Sequence, residues 1–139
     1  MRQIVPDLLW IGNAIDARDV AAVLQTGIET VIDVAIEEKP VVFPRDIVYC
    51  RIPLNDGQGN SLGLLRTVVE LTTQMMLAKR RTIGCCGAGM SRSPAIAAMA
   101  IARVRQEPPE KTLLEIVCHA PHDVSPLLWA DLCKAFTEE

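Results

Sequence analysis

Thr82-Ile83-Gly84-Cys85-Cys86-Gly87-Ala88-Gly89-Met90-Ser91-Arg92-Ser93-Pro94 decides how the rest of the chain is read. A short apolar run ends at two adjacent cysteines. Five small or uncharged residues then separate Cys86 from Arg92, and an alanine-rich run follows Pro94. The layout is that of a strand, a tight loop and a helix N-terminus. Gly87 and Gly89 permit backbone angles that a Cβ opposes and let the main chain approach a ligand closely. Pro94 suits a first helical turn, where its missing N–H has no intrahelical partner to lose.

Such a loop suits an anion. Successive backbone N–H groups curl into a concave nest, and a helix starting near Arg92 adds unpaired N–H groups and the positive end of its dipole. Arg92 supplies a planar fork that matches two phosphate oxygens at once. The same positive field favours the Cys86 thiolate, the form that attacks phosphorus. The Ser93 hydroxyl is close enough in sequence to donate to the sulfur. A lone Cys-x5-Arg is a weak pattern, since cysteine is often a small buried hydrophobe. The glycines, Ser93 and the strand-loop-helix setting make it specific. The residues expected around a bound phosphate are Gly87, Ala88, Gly89, Met90, Ser91 and Arg92.

Size and composition bound the rest. The 139 residues predict one domain over 1–139. A net charge of −3 gives no broad attraction to nucleic acid or anionic membrane, so neither is an expected partner. Residues 1–7 lack a signal-like apolar run, and the longest apolar run, Pro94 to Ala102, is too short to span a bilayer. Five cysteines without a regular framework predict free thiols in a reducing, cytoplasmic setting. Cys85-Cys86 is not a Cys-x-x-Cys pair, no second pair completes a zinc site, and no metal or other cofactor is expected.

Around the loop, hydrophobic periodicity outlines alternating elements. Leu8 to Ile11 reads as a strand ending at Gly12-Asn13. Asp16 is the expected cap of a helix to about Gln25, closed by Gly27. Thr30 to Ala35 is a β-branched buried strand. Glu37-Glu38-Lys39-Pro40 is a charged break, and Ile47 to Ile52 is a strand closed by Pro53. Asn55 to Asn60 is a glycine-containing loop. A long helix runs from Asn60 or Ser61 through Lys79, with Leu64, Leu65, Val68, Leu71 and Met75 at helical spacing. Lys79-Arg80-Arg81 complements its C-terminal dipole. After the loop come helices over Pro94 to Val104, about Glu110 to His119, and Ser125 to Phe136. The order predicts an α/β fold with a mostly parallel sheet of four to five strands covered on both faces. In such sheets ligands collect beyond the carboxyl ends of the strands, where Gly12-Asn13, Asp33, Asp56 and Cys86 all lie.

The octet Cys86 to Ser93 resembles the signature loop of the dual-specificity branch of the protein tyrosine phosphatases. The likeness extends over nearly the whole chain. Leu8 to Asn13 is similar to that family's opening strand. Leu24 to Ile28 and Val31 to Ala35 are similar to its first helix end and second strand, and Ile52-Pro53-Leu54-Asn55-Asp56 to the strand and loop bearing the general acid. The resemblance implies that Cys86 forms a phosphoenzyme, Arg92 clamps the phosphoryl oxygens and Asp56 protonates the leaving group. Read alone, Asp56 is a turn aspartate before glycine. One departure stands out: the family's histidine before the nucleophile is replaced here by Cys85.

Other candidates have plainer readings. Asp33 fits a strand end and Asp123 a helix-start loop. His119 and His122 sit at a helix end and in the following loop. Cys85 reads as buried filler rather than a partner for Cys86, since bonding adjacent cysteines strains their peptide. Cys118 and Cys133 read as helix-face or core residues, Cys50 as core or a faint resolving thiol, and Trp10 and Trp129 as packing. The function implied is hydrolysis of phosphotyrosine, with phosphoserine and phosphothreonine as further substrates, in phosphorylated proteins or peptides. The alternatives are a phosphate-binding module with little turnover, suggested by Cys85, and a phosphatase for a non-protein phosphoester.

Overall fold

The computed structural model describes residues 1–137. Five strands form one sheet in the order β1-β2-β5-β3-β4. They are β1 (Arg2–Val5), β2 (Leu9–Gly12), β3 (Thr30–Ala35), β4 (Val48–Leu54) and β5 (Thr82–Cys85). β2, β5, β3 and β4 are parallel to their neighbours, and β1 adds an antiparallel edge. The expected mostly parallel α/β sheet is present.

Side-chain alternation splits the sheet into two faces. Leu9, Ile11, Ile32 and Val34 belong to the larger core, with α3 (Leu62–Leu77), α4 (Arg92–Arg105), α5 (Pro109–Val117) and α6 (Pro126–Thr137). Trp10, Val31, Ile83 and Cys85 point the other way, against Ala17 of α1 (Ala14–Arg18) and Val23 of α2 (Val20–Thr26). α4 is the central helix: every residue from Arg92 to Ala102 is buried. Its alanines let α3 and α5 approach closely, and Thr112 of α5 donates to the Ala98 carbonyl at 2.7 Å. No helix among the described residues is long and apolar enough to cross a membrane.

One strand is additional to those expected, and three expectations need correction. Residues 2–5 form a strand, held by pairing with β2 rather than by any local pattern. The single helix expected from Asp16 is two helices. Asn13 caps the first and Asp16 is its third residue, in a reciprocal box: Asp16 N–H donates to Asn13 Oδ1 at 2.8 Å and Asn13 N–H to Asp16 Oδ2 at 2.9 Å. Asp19 breaks the pattern by capping α2, accepting from Ala22 N–H at 3.1 Å. β4 does not stop at Pro53 but runs on to Leu54, which an edge strand permits because the missing N–H faces no partner. Finally, the helix expected to 119 ends at Val117, leaving His119 in the turn that follows.

Candidate active site

Three segments meet beyond the carboxyl ends of the strands. A register shift between Asp33 and Ala35 of β3 places two intervals of that strand against three of β4 (Arg51 to Leu54). Such bulges re-aim a strand, and here the chain leaves β4 toward Asp56. The loop beyond is braced internally. Asn55 N–H donates to Asn60 Oδ1 at 2.8 Å, and Asn60 Nδ2 returns a bond to the Asn55 carbonyl at 2.8 Å.

The 86–93 loop is gripped by the turn between β2 and α1. Cys86 N–H donates to the Gly12 carbonyl at 3.2 Å, and Ala14 N–H donates to the Gly87 carbonyl at 3.1 Å. Gly89 has φ +75°, and a Cβ there would stand 3.1 Å from the Gly12 carbonyl oxygen. Both its backbone angle and its closeness to another main chain therefore require glycine. The turn between α5 and α6 closes the other side. Asp123 N–H donates to the Met90 carbonyl at 2.8 Å, and Ser125 N–H to Ser91 Oγ at 3.0 Å.

Arg92 opens α4 and is 4 % exposed. Its Nη1 donates to the Leu54 carbonyl at 2.8 Å. Its Nη2 meets both Glu37 oxygens, at 2.8 Å and 3.0 Å. Arg92 Nε is buried without a partner among the described residues, and so is Ser93 Oγ. Thus Ser93 makes no hydrogen bond to the Cys86 sulfur here. Asp56 is docked on the loop: its Oδ1 accepts from Ser91 Oγ–H at 2.6 Å.

These parts line one open crevice, formed by Asp56, Cys86, Ala88, Met90, Ser91, Arg92 and Asp123. Cys86, Arg92 and Asp56, the three residues proposed from the sequence to react, border the same space. Gly87 and Gly89 shape its loop, and Ser93 lies buried behind it.

The remaining candidates lie elsewhere. Asp33 is buried, accepting from Tyr49 Oη–H at 2.6 Å and Ala35 N–H at 3.0 Å, as suits a strand end. Cys85 lies beside it in register, in the smaller core. Burial pushes the Cys85 thiol far above its ordinary range, and the charges of Asp33, Cys86 and Asp16 add to the shift. Cys50 aligns with Ile32, and Ile32 with Gly84. Two strand spacings, about 10 Å, separate it from β5, beyond the span of a disulfide to Cys86. Neither His119 nor His122 lines the crevice. Among the described residues no three His, Cys, Asp or Glu side chains are grouped to hold a metal ion. Glu37, Asn60 and Ser125 escaped the sequence reading. Glu37 lies 55 positions from Arg92 inside a charged stretch, and nothing local distinguishes it from Glu38.

No family model and no curated protein matches the sequence. Solved structures do match the fold. Human DUSP28 gives a TM-score of 0.84 at 19% identity, covering 99% of this chain and 96% of that one. DUSP15 gives 0.83 at 23% identity, covering 99% and 88%. The human tyrosine phosphatase-like serine/threonine/tyrosine-interacting protein gives 0.84 at 16% identity, covering 99% and 96%.

Proposed function

The chain has the fold of the dual-specificity phosphatases, and from that premise we propose that it is a cysteine-dependent phosphatase acting on phosphotyrosine, and on phosphoserine and phosphothreonine, in proteins. A fold alone hosts many activities, so the proposal rests on the site. One observation carries it: a single crevice is bordered by Cys86, Arg92 and Asp56.

In the proposed reaction the phosphate enters the cup of loop amides, and Arg92 Nε, the buried donor without a partner, bonds one of its oxygens. The Cys86 thiolate attacks phosphorus, forming an S–P bond as the bond to the leaving oxygen breaks. Asp56 gives its proton to that oxygen. Water then attacks the cysteinyl phosphate while the Asp56 carboxylate takes its proton. The S–P bond breaks, and thiolate and inorganic phosphate are released. The loop N–H groups, the α4 dipole and the guanidinium stabilise the charge on the transferring group throughout. Acid–base help of this kind is worth about 10²–10⁴-fold.

The test is release of phosphate from p-nitrophenyl phosphate and a phosphopeptide panel, with vanadate as inhibitor and Cys86→Ser as control. Loss of turnover in Cys86→Ser with vanadate-sensitive wild type is the expected result. Equal turnover in the two proteins overturns the assignment. A second reading, a phosphate-binding module with little turnover, is favoured by one feature: Cys85 stands where the related enzymes carry histidine. Binding of phosphopeptides by a wild type that releases no phosphate would select it.

A further inference from the structure

We propose that Asp123 sets a charge preference at the crevice, favouring phosphoresidues next to arginine or lysine over those next to aspartate or glutamate. The proposal rests on the phosphoprotein reading above and narrows its substrate class. Asp123 comes from the turn between α5 and α6, which the reaction does not use. Its N–H is fixed to the Met90 carbonyl at 2.8 Å, and this exposed residue lines the crevice with Cys86 and Arg92. Among the described residues no hydrogen-bond donor or cation reaches its carboxylate.

The surrounding charges leave that carboxylate uncompensated. Arg92 is the one cation among the lining residues, and its Nη2 is shared with both oxygens of Glu37. Asp56, the acid of the proposed reaction, brings no positive charge, and its Oδ1 is bonded by Ser91. A phosphoryl dianion in the cup therefore has a bare negative group beside it. Like charges at a partly solvated site repel modestly, and every phosphorylated substrate bears that cost. A cationic side chain next to the phosphoresidue relieves it by meeting Asp123, and an anionic one adds to it. Charges at the mouth of a site act chiefly on selection between partners. Exposed pairs are weak, so the expected discrimination is about threefold to tenfold.

The experiment uses phosphotyrosine peptides identical except for Arg, Ala or Glu on either side of the phosphotyrosine. Two readouts are taken: kcat/KM with catalytically intact protein, and fluorescence-anisotropy affinity in the Cys86→Ser background. Arg peptides are expected to exceed Glu peptides by about fivefold at low salt, with the ratio shrinking near 0.5 M salt, where screening is about 4 Å. Asp123→Asn is expected to bring the ratio close to one and Asp123→Lys to invert it. Each ratio is taken within one variant, so a lower folded fraction cancels. A ratio that is the same in the parent protein and both variants overturns the proposal. Absence of turnover on any phosphopeptide removes the phosphatase reading instead, and the affinities in the Cys86→Ser background still decide the charge preference.

Discussion

Ser91 carries two hydrogen bonds that decide where the Asp56 carboxyl group stands. Ser125 N–H donates to its oxygen at 3.0 Å, so its own proton turns to Asp56 Oδ1 at 2.6 Å. The general acid of the proposed reaction is thus tied to the loop that holds the nucleophile. Ser91→Ala is expected to lower kcat on phosphotyrosine peptides by about tenfold, within the range of acid–base catalysis. Asp56→Asn is expected to lower it by about 10²-fold, with smaller losses on p-nitrophenyl phosphate, whose leaving group needs less protonation. The double variant should be no slower than Asp56→Asn alone, because both changes remove one function. Multiplying losses, measured by steady-state kinetics, would mean that Ser91 acts independently of Asp56.

At the scale of elements, the turn into α1 shapes the candidate site from outside it. The Asn13 box sets the start of α1, and Ala14 N–H at that start holds the Gly87 carbonyl. Asn13→Ala removes a cap worth about 1 kcal/mol, and the melting temperature is expected to fall by roughly 2–5 °C. Gly89→Ala, by contrast, forces a Cβ to 3.1 Å from the Gly12 backbone at a positive φ. Thermal scans with and without vanadate should separate the two. Asn13→Ala keeps a vanadate-induced rise in melting temperature, and Gly89→Ala loses it. The strand, loop and helix around Cys86 were legible because glycine, proline and arginine each have a narrow physical use at their positions. β1 was not, because Arg2 to Val5 has no alternation of its own and is a strand only through its pairing with β2. The break at Asp19 is not legible because the apolar spacing continues across it, and only the Ala22 N–H bond to the Asp19 side chain marks the start of α2.

For the whole molecule, the buried Cys85 thiol links stability to pH. Its proton is held far more tightly in the folded chain than the ordinary thiol range allows, chiefly because burial disfavours the thiolate. Below the pKa of an unfolded cysteine, about 8.5, both states keep the proton and nothing changes. Above it the unfolded chain releases a proton that the folded chain retains, so stability falls as pH rises, by up to about 1.4 kcal/mol per pH unit. The melting temperature is expected to decline between about pH 8.5 and 10, and Cys85→Ala should decline less steeply. Tyr49 and Cys133, also raised by burial, add to the slope in both proteins. The two-faced sheet was legible in the alternation of strands and helices. Glu37 and Asp123 were not: their roles come from where β3 and α5 deliver the following turns, and no local pattern encodes that. The grip of Gly12 and Ala14 on the loop has a thermodynamic consequence. In the proposed reaction the entropy of ordering the phosphate-binding loop is spent when the chain folds, so an arriving oxyanion meets donors already in place. Calorimetric binding of vanadate or phosphate should accordingly carry little conformational entropy loss from the protein.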